Sequence, residues 1–404
     1  YPPLARGGYE QWCQEVAIEL SSRGHEVSVL TSRSPDDNSC QNGEEIPVHR
    51  LLHLEVEEGL IHTTVRLLKD RKGLEQENLA STQRLIEDFQ PDLGFVWGMW
   101  NIPRSVPAMV EQLLPGRVVY YICDYWLSLP SSYIQRWREP SRGRLAQVPK
   151  WLLGRYFLYQ LGKENPPQLE LKYPICVSQA VRKLLVEAGQ SIQHARVILG
   201  GVRVDKFSAV ASRDNRLDNN IPLKLLYAGR LSVEKGVHTA IRAMSVIANR
   251  YDSDITLDVV GGGDSRYVGE LKSDVQRNNL NRNVRFLGRV DRCEMPALLA
   301  KYDALIFPSE WEEPFARIVI EAMASGLVVI GTTTGGTKEI LVESETGLTF
   351  PPGDVESLVS QVERLFSNAE FGFHLAKVSQ NLVRDKFTFT RMIDQLESAL
   401  INIC

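Results

Sequence analysis

Short apolar runs alternate with longer amphipathic stretches along almost the whole chain. In the first half such runs lie at Glu26–Thr31, Ile46–Leu51, Leu93–Trp97, Arg117–Ile122 and Tyr173–Val177. The alternation restarts after Val202, with runs at Leu223–Ala228, Ile255–Val260, Val284–Leu287, Ala304–Phe307 and Val328–Gly331. Strands that are apolar on both faces belong to parallel sheets covered by helices, so the pattern predicts an α/β architecture. Between the runs, Trp12, Val16 and Leu20 recur every four residues in a helix that Gly24 ends. The segment Ile61–Phe89 is helical in composition, Ser178–Gly189 reads as the helix closing the first half, and Phe387–Ile403 as a last helix. A chain of 404 residues is long for one core, and two domains of similar size are expected.

The stretch from Phe307 to Gly326, FPSEWEEPFARIVIEAMASG, concentrates the candidate chemistry. A buried strand stops at Pro308, an acidic loop follows, and an apolar helix from Ala316 to Ala324 ends at Gly326. The helix N-terminus, near Ala316 and Arg317, offers backbone N–H groups and a positive dipole end to an anion such as phosphate. Glu313 in the loop can accept hydrogen bonds from sugar hydroxyls, and Glu321, on the helix, those of a ribose. The spacing of Arg317, Glu321 and Ser325 also fits a solvated stripe with one ordinary ion pair, and spacing alone leaves both readings open.

Composition narrows the function classes. Hydrophobic content of 43% and charge of 24% are ordinary for a globular protein, and a net charge of −4 gives no reason to expect nucleic acid. The six cysteines are scattered without a CxxC pair, which argues against zinc and a disulfide framework and fits a reducing, cytoplasmic setting. No apolar run is long enough to span a bilayer and no signal-peptide pattern is present, so a cytoplasmic protein is expected.

Glu313 and Glu321, seven residues between them, inside PS…EPF…EAMA.G, resemble the donor site of the retaining, family 4 (group 1) glycosyltransferases. Most of the chain matches that family in order. The resemblance implies the GT-B fold: two Rossmann-like, doubly wound α/β domains facing a central cleft. The expected domains are 1–198 on the acceptor side, 199–386 for the nucleotide sugar, and 387–404 as a helix crossing back. It further implies a hexosyltransferase-type enzyme that moves a sugar from a nucleoside-diphosphate sugar to an acceptor hydroxyl with retention of configuration, without metal or other cofactor. The acceptor would be a glycan, a lipid-linked molecule or a small molecule. A front-side reaction, in which the leaving phosphate takes the acceptor proton, is the family's expectation.

Residue by residue, the resemblance implies that Arg230 and Lys235 of AGRLSVEKG hold the donor diphosphate and, with Glu313, carry catalysis. Gly262, in Gly261-Gly262-Gly263-Asp264, resembles the family's GxG loop, and Arg289 lies where the base is contacted. Phe315, Ala316, Arg317, Ile318 and Glu321 complete the donor set, and Gly335–Glu339 is a Gly-led helix start near it. Gly7 and Gly8, with Arg6 less closely matched, fall on the Gly-rich loop near the donor phosphates. The chain departs from the pattern at three places. Ala316 and Arg317 replace the usual Gly and aliphatic residue, Gly200 stands where Asn is usual, and the first-domain His of stretches such as HDYW is absent: the chain has Cys123-Asp124-Tyr125-Trp126. Asp124 is the candidate acceptor contact, a turn cap being its plain reading.

Two further features stand out. No strand precedes the loop at Gly7-Gly8, which suggests an N-terminal truncation; the strands at Glu26–Thr31 and Leu93–Trp97, which would flank it, are then expected to lack the strand between them. The stretch from Tyr133 to Lys163 is basic and aromatic, as for a peripheral contact with anionic lipid at the membrane inner face, a solvated face over aromatics, or a site for an anionic acceptor. Two other functions fit the same motifs: a nucleotide-sugar epimerase and a non-catalytic nucleotide-sugar-binding module.

Overall fold

The computed structural model describes residues 1–2, 7–33, 46–56, 70–138, 153–159, 161–162, 166–208, 222–251 and 254–403. It divides into two compact units: Tyr1–Cys176 with Arg182–Val197 and Gln395–Cys404, and Val177–Val181 with Ile198–Asp394.

The second unit is built on one six-stranded parallel sheet. Its strands are β7 (Leu223–Ala228), β8 (Ile255–Val260), β9 (Val284–Gly288), β10 (Ala304–Phe307), β11 (Val328–Gly331) and β12 (Leu348–Thr349), in the order β12-β11-β10-β7-β8-β9. Every residue of β10 and β11 is buried, as expected of ALIF and VVIG, which carry no polar side chain to place on either face. Two helices show how the cover works. In α7 (Val237–Tyr251), Val237, Ala240, Ile241, Met244 and Ile247 recur at helical spacing and are buried, as are Leu358, Val359, Val362 and Leu365 of α11 (Val355–Ser367). Each such Val, Leu, Ile or Met side chain contributes about 1.5–3 kcal/mol by leaving water. Helix α8 (Ser265–Arg277) starts at Asp264, whose carboxylate accepts from the amides of Arg266 and Tyr267. Helix α10 (Arg317–Ala324) follows β10 and stops before Gly326, at φ +74°. Strands β7, β8, β10 and β11 span the predicted runs. The two-residue β12 was not predicted.

In the first unit the strands fall into two separate sheets. Among the described residues β1 (Val29–Ser32) pairs only with β2 (Val48–Leu52), and β3 (Gly94–Trp97), β4 (Val118–Ile122), β5 (Tyr173–Cys176) and β6 (Arg196–Val197) form a four-stranded parallel sheet. All five residues of β4 are buried. The first strand begins three residues later than its apolar run suggested. β1 and β3 lie in different sheets and do not pair. A cavity of about 630 Å³ lies against both, lined by Val29 and Thr31 from β1, Phe95 and Trp97 from β3, and Val16 and Leu20 from α1 (Gly8–Ser22). The predicted helix at Ile61–Phe89 is described from Arg71 to Phe89, and 61–69 lie outside the described residues.

The last helix, Phe389–Ile401, is divided between the units. Before its start, Val202 donates to the carbonyl of Phe387, and Phe389 donates back to Val202, which ties this end to the second unit. Further on, Glu397 pairs with Arg23 at 2.7 Å and His25 at 2.8 Å in the first. Of the basic, aromatic stretch 133–163, residues 139–152, 160 and 163 lie outside the described residues. Tyr133, Trp137 and Phe157 are buried, and the rings of Trp137 and Phe157 stack with centroids 4.8 Å apart, so part of its aromatic content is core. Among the described residues no helix is long and apolar enough to cross a membrane.

Candidate functional site

Four neighbouring strands of the second unit end in loops that carry the predicted donor residues: β7 leads to Arg230 and Lys235, β8 to Gly262, β9 to Arg289, and β10 to the acidic loop and α10. The loop ends of a parallel sheet are where α/β folds bind ligands. Two of these loops press against each other. Leu231 donates to the carbonyl of Gly262 at 2.9 Å, and a Cβ on Gly261, at φ +141°, would lie 1.8 Å from the carbonyl oxygen of Gly229. Only glycine allows that approach. Gly262 lies under Arg289: a Cβ there would come within 2.5 Å of its Nε. Arg230 and Arg289 are exposed.

The acidic loop is tied down at every turn. Gly236, at φ +65°, lets the chain after Lys235 pass the carbonyl of Pro308, and Lys235 Nζ donates to Glu313 Oε1 at 2.5 Å. Ser309 Oγ donates to the same oxygen at 2.6 Å, and Thr332 holds the carbonyl of Ser309. Glu312 accepts from the amide of Gly335, Gly336 donates to the carbonyl of Glu313, and Ser178 donates to the carbonyl of Pro314. Glu313 is thus buried at 6% exposure with Oε1 engaged, while Oε2 makes no hydrogen bond among the described residues. Sequence reasoning placed Lys235 and Glu313 in one site, and the structure brings them into contact. Phe315 and Ala316 are buried, Ile318 is half-buried, and no side chain caps the N-terminus of α10.

Glu321 was expected to face the ribose hydroxyls, with a solvated stripe and one ordinary ion pair as the competing reading. It is instead 1% exposed and paired twice. Arg317 Nε donates to Oε1 at 2.8 Å, one helical turn away. Arg292, which the sequence reading did not single out, donates from Nη1 to Oε2 at 2.6 Å and from Nη2 to Oε1. Burial by itself would raise the carboxyl; Arg292, then Arg317, outweighs it and holds the group below the usual carboxylate range. Arg292 enters from a 3-10 turn (Arg292–Glu294) after β9, far away in sequence, and no local pattern marks it. The signal available was indirect: a carboxylate inside an apolar helix face needs partners for both oxygens, and the i, i+4 Arg serves one.

Gly7, Gly8 and Asp124 belong to the first unit. Gly7 is the N-cap of α1, and Arg6 lies outside the described residues. Asp124 follows β4 and its carboxylate accepts from the amide of Trp126 at 3.0 Å, the turn-cap role. Burial pushes its carboxyl up to about 6, against the pull of that amide, and the charge of Glu10 adds to the rise. Glu10 was also missed by the sequence reading. It folds back over Gly7, whose added Cβ would lie 2.0 Å from Glu10 Oε2. Glu10, folded over Gly7, and Asp124 are therefore two carboxyl groups close enough to feel each other's charge. Among the described residues no group of three or more His, Cys, Asp or Glu is arranged to hold a metal ion.

Residues 211–381 match the family model described as Glycosyl transferases group 1. The match covers the loops of Arg230, Lys235, Gly262, Arg289, Glu313 and Glu321, and Glu10 and Asp124 lie outside it. The chain is 30% identical to a glycogen synthase of Mycobacterium tuberculosis over 199 residues, 49% of this chain and 46% of that protein, so it spans about half the length of that relative. It is 27% identical to an uncharacterized glycosyltransferase of Methanocaldococcus jannaschii over 419 residues, 100% of this chain and 95% of that protein. Among solved structures it is similar to Anabaena HepE in complex with UDP and glucose, with a TM-score of 0.70 at 20% identity over 98% of this chain and 96% of that one. Identity this low speaks to fold alone: the chain has two Rossmann-like units of the GT-B class.

Proposed function

We propose that this protein is a group 1 glycosyltransferase that moves a hexose from a nucleoside-diphosphate sugar to an acceptor hydroxyl with retention of configuration. The observation that carries the reading is the contact of Lys235 with a buried Glu313 beside the uncapped start of α10. It sets a cation, an anion-binding helix end and a hydroxyl acceptor side by side, as a sugar diphosphate requires. The leaving diphosphate gains negative charge as its bond to the sugar breaks. Arg230, Lys235 and the α10 amides supply the stabilisation a metal ion gives elsewhere, so the reaction is expected to run in chelator. Oε2 of Glu313 accepts from a sugar hydroxyl, Arg289 over Gly262 contacts the base, and Glu321 lies at the ribose end. In the front-side step the bond from the anomeric carbon to the leaving phosphate breaks as the bond to the acceptor oxygen forms on the same face. The acceptor proton passes to the departing phosphate. Asp124 is the candidate acceptor contact in the first unit.

The donor class of this reading is that of a similarly folded structure, HepE, which was solved with UDP and glucose. Thermal shift of the full chain against UDP-, GDP- and ADP-sugars tests the reading, with stabilisation by one base class expected and none by any donor overturning it. Tight donor binding without turnover on any acceptor would mark a non-catalytic binding module, and formation of an epimer from donor alone an epimerase.

A further inference from the structure

The cluster around Glu321 has an inside and an outside. Arg317 lies on the same helix and its side chain is 9% exposed. Arg292 reaches in from another element, and its side chain keeps 31% exposure against 1% for Glu321. The ring of Phe207 lies beside its guanidinium, 5.9 Å from the centroid. The solvent-facing part of the cluster is therefore Arg292, not the carboxylate. A carboxylate has about four acceptor positions. Three N–H groups already use both oxygens of Glu321, two of them from Arg292 in a bidentate grip.

We propose that Arg292 is a specificity-determining residue that competes with the ribose hydroxyls of a nucleotide for Glu321. The inference rests on the nucleotide site proposed above. The two neighbouring hydroxyls of a ribose can both donate to Glu321 only if Arg292 gives up at least one of its two bonds. Arg317 cannot yield in its place, because it is enclosed and one turn away on the same helix. Nucleotide binding therefore includes the loss of a charge-assisted bond, which offsets part of what the hydroxyls gain. The chain distinguishes a ribonucleotide from its 2′,3′-dideoxy form less sharply than an uncontested carboxylate does.

The test is calorimetric titration of the full chain and of Arg292→Ala with UDP, ADP and GDP and with the 2′,3′-dideoxy form of each. The variant keeps the Arg317–Glu321 pair, so the buried carboxylate is not left without a cation. The expected result is a rise of about tenfold in the ratio of ribo to dideoxy affinity in Arg292→Ala, the scale of one charge-assisted hydrogen bond. Arg292→Lys, a single-point donor, should fall between the two and carries the test if the alanine variant does not fold. An unchanged or smaller ratio in nucleotides that do bind overturns the proposal alone. No binding of any nucleotide by the unmodified chain overturns the nucleotide site and this inference with it.

Discussion

Replacing Asp124 by Asn should make the first unit more stable at neutral pH, and the effect should vanish in acid. The Asp124 carboxyl is pushed up from 3.8 to about 6, by burial first and by the charge of Glu10, against the pull of the Trp126 amide. Between those two values the folded chain holds a proton that the unfolded chain has released. Stability therefore falls as pH rises through this window and stays lower above it. A shift of about two units at roughly 1.4 kcal/mol each gives about 3 kcal/mol, reduced to about 2 because the side chain keeps some contact with water. Asn retains the oxygen that accepts from the Trp126 amide and carries no charge to bury. Urea unfolding from pH 4 to pH 8 measures this directly. Six of the seven tryptophans, all but Trp311, lie in sequence within the first unit, so their fluorescence follows its transition. Asp124→Asn should match the unmodified chain near pH 4 and exceed it by about 2 kcal/mol above pH 7. Equal stability at all pH values, or a variant that is weaker at pH 8, would refute the reasoning.

Arg230→Ala and Lys235→Ala should lower turnover more than donor affinity, because the diphosphate carries more charge in the transition state than in the ground state; equal losses in kcat/KM and binding would show uniform binding. Glu321→Ala should lower stability, since it removes the buried carboxylate that Arg292 and Arg317 both hold; urea midpoints of the second unit check this. Donor binding should weaken along with it, by about 1–3 kcal/mol. Gly261→Ala should lower thermal stability measurably, since the loop must move off the Gly229 carbonyl; an unchanged Tm would show that the approach is not tight.

The legible parts of this protein are those whose signal is local. Strands such as Ala304–Phe307 and Val328–Gly331 are fully buried, so hydrophobicity alone bounds them. The first strand was placed too early because Val27 continues the alternation of Val29 and Thr31, while residues 26–28 do not pair in a sheet. The two-residue strands at Arg196–Val197 and Leu348–Thr349 are too short to leave a pattern. In the candidate site, Lys235 and Glu313 were found through motifs that lie at strand ends. Arg292 and Glu10 were not, because their significance is a contact made across elements: Arg292 with a carboxylate 29 positions away, Glu10 with the environment of Asp124 at the end of β4. Burial also changed the meaning of a residue that was found. Glu321 reads in sequence as an open acceptor and stands in the fold as the middle of an ion cluster.

The cavity between β1 and β3 has a mechanical consequence. Pressure favours whichever state fills less total volume, and unfolding eliminates internal voids. The part of this cavity of about 630 Å³ that water does not fill adds to the volume the first unit loses on unfolding. The six-stranded sheet of the second unit runs without such a break. Under hydrostatic pressure the tryptophan signal of the first unit should therefore change well before the fold that holds Arg230, Lys235 and Glu313 gives way, so that one half of the chain yields while the other keeps its loops in place.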